Sequence, residues 1–206
     1  MKKLHYLSAL VCSAFLISSI SAQPNSAKAN TEKNPVAKNT TTVKDDSKKE
    51  SFITRYYELK DSYPAMTGLY GQYAGSTHDK TKFVERYNKI KAAYPALKEV
   101  HGNFAASSGT LEEFTKKYFE MKAVYPAMSK YYGNFASSNY TLPEFMKRYN
   151  EIKASSPDLA DYYGEYAASE NTLPEFSSRY YGIKASNPAM KESFGTYAAS
   201  DKKLSK

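Results

Sequence analysis

The sequence predicts an all-α protein, a short α-solenoid of five 31-residue helix-turn-helix repeats that follows a signal peptide and a disordered linker. Three observations predict it. Pro64, Pro95, Pro126, Pro157 and Pro188 recur at a constant interval of 31 residues, and Gly71, Gly102, Gly133, Gly164 and Gly195 keep the same interval. The series Phe52, Phe83, Phe114, Phe145, Phe176 and Tyr56, Tyr87, Tyr118, Tyr149, Tyr180 hold that register without a gap. Within a copy the apolar residues lie three and four apart and never alternate, which is the spacing of a helix face and not of a strand. A fixed period of this size marks supersecondary units that stack.

Taken in order, the chain begins "MKKLHYLSALVCSAFLISSISA", a lysine pair followed by an apolar stretch and a small-residue end, the pattern of a bacterial-type signal peptide cleaved after Ala22. The apolar stretch from Leu4 to Ile20 contains four serines and is shorter than a spanning helix requires. Cys12 is the sole cysteine and lies in this segment, so the processed protein has neither a disulfide nor a thiolate metal site. Residues 23–50 carry Val36 and Val43 as their only large apolar side chains, too few to offset the entropy of ordering, and they read as a disordered polar linker.

The repeats follow as residues 51–78, 79–109, 110–140, 141–171 and 172–200, with residues 201–206 as a basic tail. In the fourth copy Thr141 precedes "LPEF", with Glu144 three residues on, a capping box that tolerates proline in the first turn. Phe145, Tyr149 and Ile152 then share one helix face. The second half, "PDLADYYGEYAAS", predicts another helix with proline at its first position and Leu159, Tyr163, Tyr166 and Ala167 on one face. A single helix through the proline is excluded because each interior proline costs about 3 kcal/mol. Ser156 and Asn187 are good caps for the second helix, whereas Tyr63, Tyr94 and Tyr125 are not, so packing must make the turn in the first three copies. One hairpin cannot bury enough surface to stand alone, so the copies are expected to stack as a rod or arc, with the first copy and the charged tail as solvent-facing ends. The recurring mid-helix glycine predicts a close helix contact or a kink. The plan is similar to tetratricopeptide arrays, but the period is shorter and that family's signature residues are not in register.

The formal charge of +8 is spread thinly. Lys2 and Lys3 belong to the leading segment, residues 23–50 and 201–206 carry +2 each, and residues 51–200 retain +2. A nearly neutral folded part argues against a nucleic-acid binder. Two cation series keep the repeat register. Arg55, Arg86, Lys117, Arg148 and Arg179 are expected to form exposed i, i+4 pairs, with Glu113 beside Lys117, Glu144 beside Arg148 and Glu175 beside Arg179. Lys60, Lys91, Lys122, Lys153 and Lys184 have no regular acidic partner and form a candidate binding line. Tyr57, Tyr131, Tyr162 and Tyr181 occupy positions that other copies fill with asparagine, leucine, valine or serine, which marks them as partly exposed candidates for a binding surface. Tyr73, Tyr166 and Tyr197 alternate with Phe104 and Phe135, so the hydroxyl there reads as dispensable.

Catalytic and metal-binding patterns are missing from the sequence, and neither cofactor nor metal is expected. His101 stands where other copies have tyrosine or phenylalanine, a packing position. The expectation is therefore a secreted, non-enzymatic repeat protein, extracellular or periplasmic, that binds a protein partner outside the cytoplasm. The alternative partner is an anionic cell-wall glycan, lipopolysaccharide or membrane surface engaged by the lysines, and a cell-envelope hydrolase is the more distant one. N-terminal sequencing of the protein recovered from outside the cytoplasm is expected to start at Gln23; a chain recovered there with Met1 to Ala22 attached would refute the cleaved leader.

Overall fold

The computed structural model describes residues 50–205, so the signal-peptide and linker expectations lie outside the described residues. Ten α-helices run in chain order as α1 (Phe52–Ser62), α2 (Tyr70–Gly75), α3 (Lys80–Ala93), α4 (His101–Ala106), α5 (Leu111–Val124), α6 (Tyr132–Ser137), α7 (Leu142–Ser155), α8 (Tyr163–Ala168), α9 (Leu173–Ser186) and α10 (Phe194–Ala199). Long odd-numbered helices alternate with six-residue even-numbered ones, and the described residues contain no strand.

Each long helix starts where a side chain satisfies its first free amides. Ser51 Oγ accepts from Thr54 N at 3.2 Å and Asp79 Oδ1 from Lys82 N at 2.8 Å. The anticipated capping box forms in the last three copies, where Glu113, Glu144 and Glu175 accept from the amides and hydroxyls of Thr110, Thr141 and Thr172. These bonds favour the ionised form and hold all three carboxyls below the usual carboxylate range. Each long helix stops at the residue before the proline, which the proline ring pushes out of the helical region, as at Ser156 (φ −143, ψ 67).

Two local expectations need correction at this turn. Ser156 and Asn187 make no side-chain cap, and all five turns share one backbone path. The stabilising group comes instead from the start of the short helix: Tyr70 Oη donates to Pro64 O at 2.7 Å, Tyr132 Oη to Pro126 O at 2.8 Å, and His101 Nε2 lies 2.9 Å from Tyr94 O. The second half of a copy is also not one helix. A 3-10 turn opens it, and in the last four copies Leu97, Met128, Leu159 and Met190 leave helical geometry before the short α-helix begins. The kink therefore precedes the glycine, which serves a different purpose.

That purpose is close approach between copies. A Cβ at Gly133 would stand 2.7 Å from Asn103 Oδ1 and 2.8 Å from Val100 Cγ1, and one at Gly164 would stand 2.6 Å from Asn134 Oδ1 and 2.7 Å from Tyr131 Cδ1. Each even-numbered helix thus lies directly against the even-numbered helix of the copy before it. The series does not end at the fifth copy. A Cβ at Gly71, in the first copy, would meet Ser193 Oγ at 2.5 Å, in the fifth, and α10 packs against α2.

The expected open stack is therefore a closed ring, with the short helices inside and the long helices outside. An identical aromatic contact runs round it. Phe83 meets Tyr73, Phe114 meets Phe104, Phe145 meets Phe135 and Phe176 meets Tyr166 edge-on at 5.4 to 5.5 Å, and Phe52 meets Tyr197 at 5.1 Å across the closure. Tyr56 Oη reaches Glu192 at 2.7 Å over that junction. The two ends are not solvent-facing caps. Lys203 O and Leu204 O accept from Phe52 N and Ile53 N at 2.8 and 3.2 Å, and Leu204 packs against the core. Leu204 stands one period after Leu173, so the tail supplies the start that the first copy lacks.

The register-matched cations complete each copy from within. Arg55, Arg86, Lys117, Arg148 and Arg179 do not pair with glutamates four residues earlier; those glutamates are committed to the capping boxes. Each cation instead reaches the carbonyls that end the short helix of its own copy. Arg86 donates to Phe104 O at 2.9 Å and Gly109 O at 2.8 Å, Lys117 to Ser138 O and Tyr140 O, Arg148 to Tyr166 O and Asn171 O, and Arg179 to Tyr197 O and Lys202 O. Arg55 serves Tyr73 O, Ser76 O and His78 O in the same way. Each cation also lies over the aromatic ring at the buried end of that helix, 4.1 to 4.6 Å from its centroid. Burial lowers the basicity of Arg86 and Lys117. The hydroxyls of Tyr73 and Tyr166 are not idle either, since they donate to Glu58 and Glu151 of the paired long helix.

Gly133→Val is expected to lower stability by about 1 to 3 kcal/mol through overpacking at the α4–α6 contact. Gly182→Ala, in α9 where an added Cβ meets nothing within 4 Å, is expected to raise it by up to about 1 kcal/mol. Denaturant unfolding of the two variants measures both; equal effects would refute the close-approach role.

Candidate functional site

Two regions of the ring present side chains to a ligand. The first is the outer belt. Lys60, Lys91, Lys122, Lys153 and Lys184 are all exposed and each lies in the last turn of its long helix, where a cation complements the negative end of the helix dipole. Because the long helices run in one direction round the ring, the five lysines rise along one rim. Four of them lean over tyrosines of their own helix: Lys60 is 5.4 Å from the Tyr57 ring, Lys91 and Lys153 are 6.0 Å from Tyr87 and Tyr149, and Lys184 is 5.6 Å from Tyr180 and 5.9 Å from Tyr181. The 3-10 turns that follow the long helices carry Glu99, Asp158, Asp161 and Glu192 together with Lys98, Lys130 and Lys191.

The four candidate tyrosines divide into two pairs. Tyr131 and Tyr162 are half-buried between copies, where their rings meet Tyr149 at 5.1 Å and Tyr180 at 4.9 Å and their edges cover Gly164 and Gly195. They belong to the packing of the ring, and burial pushes both hydroxyls up to about 12. Tyr57 and Tyr181 remain surface residues, 46% and 47% exposed. Phe119, 47% exposed, shares their register position, which Asn88 and Asn150 fill in the intervening copies. Ring closure makes the first and fifth copies neighbours, so Tyr57 with Lys60 and Tyr181 with Lys184 fall on successive outer helices, and Tyr181 Oη donates to Asp158 in the turn of the fourth copy at 2.5 Å. Tyr63, 39% exposed, closes the same end of α1.

The second region is the axis. Gln72, Asn103, Asn134, Glu165 and Thr196 recur at the 31-residue interval, one per short helix, and line a cavity of about 240 Å³ inside the ring. Gly75, Ala106, Ala168 and Ala199 supply its smooth wall, and Ser76, Ser107, Ser169 and Ser200 stand at its rim. The hydroxyls of these four serines donate to Tyr73 O, Phe104 O, Tyr166 O and Tyr197 O, each three residues back. Glu165 is the one ionisable residue in the lining. Burial pushes its carboxyl up to about 7, opposed in part by Lys130 and reinforced by Asp161, which are themselves paired at 3.0 Å. This site was missed in the sequence. Its only signal is a position between apolar residues that is polar in all five copies, and that signal reads equally well as a solvent-exposed face until the ring closes.

His101 is buried against Tyr87, with ring centroids 5.8 Å apart, and is a packing residue. The described residues contain no group of three or more side chains suited to a metal ion and no helix long and apolar enough to cross a membrane.

A carboxyl held above its unfolded value of 4.5 leaves stability undiminished below that pH and erodes it as pH rises toward 7, where the folded state must ionise it. Glu165→Gln is accordingly expected to stabilise the ring at pH 8, by up to about 3 kcal/mol, and to change nothing at pH 4. Unfolding midpoints at the two pH values measure the difference; a gain that persists undiminished at pH 4 would contradict the shift. Compared with known protein families, curated proteins and solved structures, the chain matches none of them.

Proposed function

We propose that this chain is an exported, non-catalytic binding protein that engages a protein partner outside the cytoplasm through the outer surface where its first and last copies meet. The observation that carries the reading is the exposure of Tyr57 and Tyr181 on successive outer helices, each beside a lysine. Rigid aromatic side chains framed by cations are the usual anchors of protein interfaces, because they bury a large area for little loss of side-chain freedom. The polarity of Asn88 and Asn150 at the matching positions supports a local patch over a uniform belt. Export rests on the leading segment of residues 1–22.

The lysine rim favours a second reading, an anionic glycan, lipopolysaccharide or membrane surface. The turns beside that rim carry four acids against three further lysines and so add little field of their own, and the exposed aromatic pair makes the protein reading the preferred one. A hydrolase is disfavoured because glycoside hydrolysis uses paired carboxylates, whereas Glu165 lines the axial cavity alone.

A photo-crosslinking residue at position 57 or 181 is expected to capture one discrete envelope or extracellular protein. Tyr57→Ala with Tyr181→Ala is expected to weaken that complex at least tenfold, and Phe119→Ala to leave it intact. Salt-reversible retention on heparin that Lys91→Glu with Lys122→Glu abolishes, together with no crosslinked protein, would sink the protein reading in favour of the glycan one.

A further inference from the structure

The interior of a ring need not be empty. The side chains at the axial register position could close the hole if they were large and apolar, as the residues one turn away do between copies. Gln72, Asn103, Asn134, Glu165 and Thr196 leave it open, and the wall position three residues on is glycine or alanine in four copies and Ser137 in the third. The space they enclose is polar, lined by carboxamides that accept and donate and by one carboxyl that, once ionised, only accepts. Gln72 Oε1 is not among the acceptors open to a ligand, since it is closed off against Gly102, where an added Cβ would collide with it. The amide oxygens of Asn103 and Asn134 lie in the same ring of side chains, and the rim serines already spend their protons on carbonyls of their own helices. The sole charge in the lining is a carboxyl, and the nearest lysine, Lys130, is engaged by Asp161 at 3.0 Å.

We infer that the axial cavity is a binding site for a small primary ammonium compound with a short alkyl stem, the ammonium held by Glu165 and the neighbouring amide oxygens and the stem against the Gly75, Ala106, Ala168 and Ala199 wall. An ammonium supplies the positive charge that the lining lacks, together with donors for its carboxyl and amide oxygens. A neutral polyol would supply donors but leave the carboxyl uncompensated, and an anion would be repelled by it. The site stands apart from the outer surface and does not depend on it.

The elevated proton affinity of Glu165 gives the site a pH dependence. The groups facing Glu165 from the adjoining elements are Lys130 and Tyr131 before α6, and Asp161 and Tyr162 before α8. The ligand requires the ionised form of Glu165, so affinity is greatest above pH 7 and declines about tenfold for each pH unit below it.

The test uses n-butylammonium as the probe and n-butanol as its uncharged match, titrated into the whole protein and followed by calorimetry and by the side-chain amide signals of Asn103 and Asn134. At pH 8 butylammonium is expected to saturate with a Kd of about a millimolar or tighter, and butanol not to bind. Glu165→Gln is expected to cost at least tenfold. Ala106→Leu, which fills the cavity and leaves Glu165 in place, is expected to abolish binding while the ring remains folded by circular dichroism. Equal affinity for butylammonium and butanol, or undiminished binding in both variants, would overturn the inference.

Discussion

The contact between successive short helices at a glycine is the constraint on which the rest of the structure depends. Six residues of helix cannot hold themselves together in water, and the short helices of this protein persist because they are wedged between two like neighbours and one long helix. Any side chain at Gly102, Gly133, Gly164 or Gly195 would drive into the preceding copy. The approach those glycines permit brings each long helix's phenylalanine onto the aromatic residue of the copy before it, and the same step taken five times returns the chain to its start. Closure removes both exposed ends, so no copy has to carry a modified outer face.

A second requirement follows from the brevity of the inner helices. A six-residue helix has more unpaired carbonyls than paired ones, and five such helices end around one axis. The cations at the Arg55 register position reach across each hairpin to those carbonyls and lie over the aromatic ring beneath them. One charged side chain per copy, buried at Arg55 and partly buried in the other four, thus joins the long helix, the end of the short helix and the loop to the next copy. Lys117 fulfils this duty with fewer donors than its arginine counterparts, reaching Ser138 O and Tyr140 O with a single ammonium. The axial cavity is a consequence of the same architecture, since a ring of five closely spaced helices leaves space along its centre, and its one charge comes from the register position that Glu165 fills.

Much of this was legible in the sequence. Period, hairpin, capping boxes, proline break and the apolar faces through Phe145, Ile152, Leu159, Tyr163 and Tyr166 follow from local rules, because each depends on residues within one or two turns of each other. The candidate surface was legible in part. Tyr57 and Tyr181 are exposed as their variable register position implied, whereas Tyr131 and Tyr162, equally variable, pack between copies. Variation at a repeat position records tolerance, and an interface filled by Leu69, Val100, Tyr131, Tyr162 and Ser193 in turn is tolerant without being exposed. The arginine series was misread because its acceptors are backbone carbonyls about twenty residues away, which leave no mark in side-chain spacing.

By itself the amino-acid sequence determined that there are five like helical hairpins, where each begins and turns, and which face of each is apolar, because those properties are settled by neighbours along the chain. Only the tertiary structure decided that the hairpins form a ring, that the tail completes the first copy, and that the residues at the Glu165 register position look inward onto a shared cavity. The physical reason is that closure depends on the small rotation between one copy and the next. That rotation is set by the shapes packed at each interface, and it becomes a ring only when its sum over five copies brings Ser193 against Gly71.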